Sequence, residues 1–259
     1  MGGRTAMKQL ILGMPIDAMT MDDVLDRCRA SLATRERTLV GVVNAAKMVR
    51  LRQDAHLRDS LLDCDLLLAD GQSVVWASRL LRRRVPERVA GVDLFERLLE
   101  LAARDGRSIY LLGARADVLA TLQERLGERF PALKIAGARD GYFSDAEAST
   151  VAADIADSRA DMLFLGMTSP KKEIFLGDYG ETLSVPVLHG VGGSFDILAG
   201  VTKRAPLLWQ RLGLEWLYRV LQEPRRLWRR YFTTNATFIA LVLRELVRRQ
   251  PPYRHSSGE

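Results

Sequence analysis

At 259 residues, 47% apolar and 27% charged, the chain is long enough to bury a core, either as one large α/β domain or as one domain with an appendage. Two cysteines without a CxxC pair (Cys28, Cys64) and three scattered histidines (His56, His189, His255) argue against a disulfide framework and a zinc site. The net charge of +6 is unevenly spread: the 57 residues from Lys203 carry 12 Lys/Arg against 4 Glu, a charge of +8, and the first 202 residues sum to −2.

The predicted elements alternate. The N-terminus lacks the long apolar stretch of a secretory signal. A small hairpin is expected near Leu10–Asp17, with Gly13-Met14-Pro15 as its turn-like interruption. Strands are predicted at Leu39–Val43, Leu66–Ala69, Ser108–Leu112, Lys134–Ala138, Met162–Leu165 and Val185–His189, each a short apolar run bounded by Gly, Asp or Pro. Between them, helical patterns cover Thr20–Thr34, Ala45–Leu62, Ser73–Leu81, Val92–Arg104, Ala116–Arg129, Asp145–Ser158 and Pro170–Tyr179. Such alternation predicts a Rossmann-like, mostly parallel sheet flanked by helices over residues 1–202. From Pro206 the strand signal vanishes. Leu207–Gln222 and Pro224–Arg249 read as helices of a basic appendage (203–250), followed by a tail (251–259) expected to be disordered. No window reaches 18 uninterrupted apolar residues; the best run, Phe238–Leu243, stops at Arg244. A membrane-spanning helix is therefore not expected.

In open α/β sheets ligands gather where strands end at their carboxyl side. Asn44 follows the first predicted strand of the sheet, Asp70-Gly71 the second and Gly113-Ala114-Arg115 the third. Gly166-Met167-Thr168-Ser169-Pro170-Lys171-Lys172-Glu173 follows the fifth and Gly190-Val191-Gly192-Gly193-Ser194-Phe195-Asp196 the sixth. Glycines there allow close backbone approach to an anion, and helix N-termini offer free N–H groups. The runs match neither GxGxxG with an acidic partner nor GxxxxGK[ST], which weakens dinucleotide oxidoreduction and P-loop hydrolysis.

Asp70, ending an apolar strand before Gly71, either carries chemistry at the crevice rim or caps the helix from Ser73. Arg88, in a polar loop, either holds a phosphate or solvates the surface. Glu173 and Asp196 either bind sugar hydroxyls or form ordinary caps and ion pairs. Asp63-Cys64-Asp65 spells a DxD, but at the start of a strand, the wrong end for the crevice.

Together, Ala69-Asp70-Gly71, Glu87-Arg88-Val89-Ala90-Gly91-Val92-Asp93, Tyr110-Leu111-Leu112-Gly113, Gly141-Tyr142-Phe143, Gly166–Glu173 and Gly190–Asp196 resemble the WecG/TagA/CpsF family, glycosyltransferase family 26. The likeness continues through Arg204-Ala205-Pro206, Leu214–Arg219 and Glu223-Pro224-Arg225-Arg226, and covers roughly residues 10–245. It implies inverting transfer of an N-acetylmannosamine-type sugar from a UDP donor to a polyprenyl-diphosphate-linked N-acetylglucosamine, on the cytoplasmic face of the membrane. It further implies Asp70 as the base, Arg88 at the diphosphate and Asp196 on the nucleotide side. Asn44, Gly71, Gly113, Lys171, Glu173 and Gly193 complete the expected substrate-binding set, with no metal and no cofactor. The resemblance also implies an arginine-rich C-terminal segment that docks on the membrane. Two positions depart from the family pattern: Val42 stands where a Thr is common, and Lys172 replaces a Gln, where it either favours a more anionic donor or points to solvent.

The cationic segment interleaves Trp209, Trp216, Tyr218, Trp228, Tyr231 and Phe232 with Arg211, Arg219, Arg225, Arg226, Arg229 and Arg230, the composition of an anionic interface. An anionic membrane surface fits the resemblance, which implies no nucleic-acid partner, and the tail's apolar residues suit contact with a second copy. Deleting the chain from about Pro206 is expected to release the protein from anionic vesicles. A nucleic-acid-binding α/β protein with a basic aromatic tail is the alternative from another class. A nicotinamide-dependent oxidoreductase is a further one.

Overall fold

The computed structural model describes residues 7–168 and 171–256, apart from the side chains of Glu173, Arg211, Arg219, Arg226, Leu227 and Arg230. The chain opens with an antiparallel hairpin, β1 (Lys8–Ile11) and β2 (Met14–Asp17). Leu12 and Gly13 turn it with positive φ of 49° and 82°, as a tight two-residue hairpin loop demands. Helix α1 (Met21–Thr34) starts at a capping box in which Thr20 and Asp23 satisfy each other's backbone N–H groups. Then follow β3 (Thr38–Val43), α2 (Ala45–Arg50), α3 (Ala55–Leu62), β4 (Leu66–Ala69), α4 (Gln72–Leu80) and α5 (Gly91–Arg104). The second half of the sheet alternates β5 (Ser108–Gly113), α6 (Ala116–Arg129), β6 (Lys134–Arg139), α7 (Asp145–Asp157), β7 (Met162–Gly166), α8 (Lys171–Tyr179) and β8 (Val187–Gly190). Short α9 (Ser194–Leu198), α10 (Leu207–Arg211) and α11 (Glu215–Gln222) lead to the long α12 (Pro224–Val247).

The six strands β3–β8 form one all-parallel sheet in the order β4-β3-β8-β7-β5-β6. All carboxyl ends therefore share one edge. The last strand, β8, inserts between β3 and β7 and brings its glycine-rich exit to the middle of that edge. Apart from the edge strand β6, which stays partly open to solvent, the sheet's apolar runs are buried on both faces. One face packs against the hairpin, α2, α3, α4, α7, α8 and α12, the other against α1, α5, α6 and α9. This is the Rossmann-like α/β architecture expected.

Two expectations are corrected. Ala45–Leu62 is two helices, because Asp54 caps a fresh one by accepting from Leu57 N at 3.0 Å. Leu207–Gln222 likewise divides, at Gly213, whose φ of 66° is left-handed and whose Cα faces Gln72 and Trp76 too closely for a side chain. Residues 251–256 run along the body: Tyr253 N donates to Gly13 O at 2.9 Å, and His255 Nε2 lies 2.8 Å from Asp63 Oδ1.

The basic segment is not wholly an appendage either. Phe238 and Val242 of α12 belong to the buried core beside α2. Glu245 of the same helix is buried and ion-paired with Arg83, which also donates to Leu10 O. Cys28 and Cys64 are buried free thiols, each pushed up to about 12 by burial, and so are unreactive.

Candidate active site

Asp70 follows β4 directly, and its backbone N–H donates to Val43 O at 2.9 Å, which fixes it beside the end of β3. Its side chain does not cap α4, whose cap residue Gly71 makes no side-chain bond. Instead it reaches the start of α5, where Gly91 N donates to Oδ1 at 3.0 Å. Asn44 Nδ2 donates to Oδ2 at 3.4 Å, while Asn44 Oδ1 caps α2 by accepting from Lys47 N at 3.1 Å. Asp70 is half-buried, so the carboxylate is held on both oxygens and still open to solvent. A Cβ at Gly71 would lie 3.1 Å from the Asn44 side chain, a tight contact.

Beneath this pair lies His189, which is fully buried. Its Nδ1 faces Val40 O at 3.1 Å and its Nε2 faces Gly91 O at 3.3 Å. Burial holds the imidazole below its ordinary pKa, and so neutral, despite two facing carbonyls. Composition and spacing marked His189 only as one scattered histidine; its apolar-run position at the end of a predicted strand was the available signal.

Three glycine turns meet on the other half of the edge, away from Asp70. Gly113 has φ of 138°, and a Cβ there would come 2.4 Å from Gly166 C, so the exits of β5 and β7 touch backbone to backbone. Gly141, after β6, packs against Gly113 Cα and donates its N–H to Ala114 O at 2.9 Å. Gly193, before α9, has open space where a side chain would be, with Asp196 Oδ2 as its nearest neighbour at 4.0 Å. Asp196 is half-buried in the first turn of α9 and electrostatically coupled to Arg115 of the β5 exit. Tyr142, which sequence reasoning noted only within a motif, stands 77% exposed beside these turns.

Lys171 is occupied differently from expectation. Its Nζ donates to Gly141 O at 2.9 Å and Phe143 O at 2.5 Å and lies 3.9 Å over the Phe143 ring, so it pins the β6–α7 loop to α8. Lys172 does not point to solvent: it is buried, with its aliphatic stem against Gly190. Together with Lys47 it lines one end of a cavity of about 390 Å³ between β3, α3 and α8. The side chain of Glu173 and residues Ser169 and Pro170 lie outside the described residues. Asp65 caps the start of β3 through Leu39 N at 2.8 Å, so the DxD sequence sits at the amino edge, away from the crevice.

Arg88 is not free at the surface. Its Nη1 lies 3.0 Å from Glu215 Oε2 of α11 and its Nη2 lies 3.7 Å from Asp93 Oδ2 of α5. Arg204 joins the same two carboxylates, at 2.6 Å from Asp93 Oδ1 and 3.7 Å from Glu215 Oε1. Its Nε and Nη2 are buried without a hydrogen-bond partner, a condition that costs about 1–3 kcal/mol per unmet donor. Sequence patterning could not pair Arg88 with a carboxylate 127 residues away.

Of the arginines assigned to the membrane, Arg225 and Arg229 are exposed on the first turns of α12, together with Trp228 at 57% and Phe232 at 70%. Arg211, Arg219 and Arg226 lie on α10, α11 and α12, but their side chains are outside the described residues. Trp209 stacks edge-on with Tyr218, and Trp216 tilts against Tyr231. Among the described residues, no helix is long and apolar enough to cross a membrane.

The sequence matches the Glycosyl transferase WecG/TagA/CpsF family over residues 9–252, nearly its whole length. The chain belongs to that family. This WecG/TagA/CpsF protein is thus a glycosyltransferase of the kind that serves cell-surface polysaccharide biosynthesis. Membership decides for a transferase over the oxidoreductase and nucleic-acid-binding readings.

Proposed function

We propose that this glycosyltransferase moves an N-acetylmannosamine-type sugar, with inversion, from a UDP donor to a polyprenyl-diphosphate-linked N-acetylglucosamine on the inner face of the cell membrane. The observation that carries this is the Asp70 carboxylate, oriented by Gly91 and Asn44 at the carboxyl end of β4 and left part-exposed.

Inversion requires the acceptor hydroxyl to attack the anomeric carbon from the face opposite UDP while a base takes its proton. Asp70 supplies that base through Oδ2, whose bond to Asn44 is the longer of its two. The C–O bond to UDP breaks with its electron pair remaining on the diphosphate. Arg88 and backbone N–H groups of the strand exits oppose that charge. Gly113, Gly193 and Asp196 line the nucleotide side.

The acceptor's diphosphate lies at headgroup level, and the first half of α12 meets it there. Each Lys/Arg near an anionic surface contributes about 1 kcal/mol, and Trp228 and Phe232 add apolar anchors.

The test is UDP release across a panel of UDP-sugars with a lipid-diphosphate-N-acetylglucosamine acceptor, with and without EDTA. Acceptor-dependent release that survives chelation supports the proposal. Absence of release with every donor overturns the transfer, and full loss in EDTA restored by Mg²⁺ overturns the metal-free route.

A further inference from the structure

We infer that Arg204 and Arg88 together form the phosphate-binding site for the diphosphate-bearing ligand, with the Glu215 carboxylate standing where a phosphate group is bound. The inference rests on the proposed transfer, in which Arg88 meets a diphosphate, and adds Arg204 as a second guanidinium and Glu215 as a displaceable side chain.

Two observations carry it. Glu215 bridges the two arginines, with Oε2 3.0 Å from Arg88 Nη1 and Oε1 3.7 Å from Arg204 Nε. The second distance is too long for a hydrogen bond, and Arg204 Nε and Nη2 are left as buried donors with nothing to meet. A guanidinium presents its N–H groups as a planar fork that fits two oxygens of one phosphate. A carboxylate already committed to Arg88 reaches only one side of that fork. A phosphate has a third terminal oxygen and can satisfy both arginines at once.

The exposures point the same way. The Glu215 side chain is 30% exposed, against 12% for Arg88 and 21% for Arg204, so the carboxylate is the outermost of the three. Its departure does not dismantle the arginines, because Asp93 holds each of them from the other side, at 2.6 Å for Arg204 and 3.7 Å for Arg88. Asp93 lies in the first turn of α5, the helix whose first N–H donates to Asp70. A phosphate seated here is thus tied through one helical turn to the proposed base.

Calorimetric titration of the full-length protein with inorganic pyrophosphate, at fixed ionic strength, tests this without turnover. Glu215→Gln removes the competing charge and is expected to tighten binding about tenfold. Arg204→Gln is expected to weaken it about tenfold, and Arg204→Lys not to restore it, since an ammonium lacks the fork. A merely structural cluster would show no gain on losing Glu215. Unchanged, weaker or absent binding in a folded Glu215→Gln protein overturns the inference, and so does wild-type affinity in Arg204→Gln. Should Arg204→Gln not fold, the Glu215→Gln result decides alone. Pyrophosphate affinities that follow this pattern in a protein releasing no UDP would remove the transfer and keep the site. UDP release with unaltered affinity in Glu215→Gln would do the reverse.

Discussion

Gly91 donates its backbone N–H to Asp70 Oδ1 at 3.0 Å across 21 residues of sequence, so the proposed base caps a helix that starts only after α4 and a loop have been traversed. A charge-assisted bond of this kind both orients the carboxylate and satisfies an N-terminal amide of α5. The same contact carries the first prediction.

Asp70→Asn keeps an oxygen for Gly91 N and loses the ability to take a proton. Acceptor-dependent UDP release should fall about 10²–10⁴-fold, with UDP affinity and melting temperature near wild type. Wild-type turnover in this variant would remove Asp70 from the chemistry.

Gly113→Ala should be among the most damaging single changes at the crevice. The residue has φ of 138°, and its added Cβ would meet the Gly166 backbone at 2.4 Å, where no flexible side chain can yield. A loss of about 3 kcal/mol is expected, a fall in melting temperature of roughly 6–12 °C. Gly127→Ala, at a helical position with nothing within 4 Å, serves as the opposite control in the same melting experiment and should stabilise by about 0.5–1 kcal/mol.

His189 makes stability depend on pH. Its folded pKa is lowered by burial, so between that value and the ordinary one near 6.5 the unfolded chain binds more protons than the folded one. The stabilisation from neutral His189 is complete above about pH 6.5 and is lost as pH falls toward the folded pKa. Denaturant midpoints measured from pH 7.5 to 5 should decline for the wild type and more shallowly for His189→Gln.

Because Phe238, Val242 and Glu245 are part of the core, truncation at Pro206 would strip the body and cannot isolate docking. Point changes on the first turns of α12 can. A combined Arg225→Gln, Arg229→Gln, Trp228→Ser and Phe232→Ser protein should lose co-sedimentation with anionic vesicles, by about 1 kcal/mol per arginine, and melt at the wild-type temperature. Retained vesicle binding would place the interface elsewhere.

Glu245→Ala leaves Arg83 charged and part-buried beneath α12. Such broken buried pairs cost about 3–5 kcal/mol, which equilibrium unfolding will detect.

The strands were legible because a parallel sheet covered on both faces demands unbroken apolar runs; Leu66–Ala69 matches its predicted bounds. β8 begins two residues late, at Val187, because Pro186 has no N–H for the ladder and supplies only its carbonyl, to Thr38 N at 2.7 Å. Convergence of the strand exits followed from topology class alone, and so did the placement of Asp70, Gly71 and Gly113. What stayed hidden was pairing over long separations. Nothing local to Arg88 announces Glu215, nothing near Lys171 announces the Phe143 loop, and nothing around Tyr253 announces its seat against Gly13. The five-residue α9 was equally silent, too short for a periodic signal.

Residues 224–247 form one unbroken helix of 24 residues, about 36 Å long, whose near end bears Trp228 and Phe232 and whose far half is wedged beside α2. A rod clamped in this way cannot swivel at one end independently of the other. Seating its aromatic end in a bilayer would therefore dictate the attitude of the entire sheet.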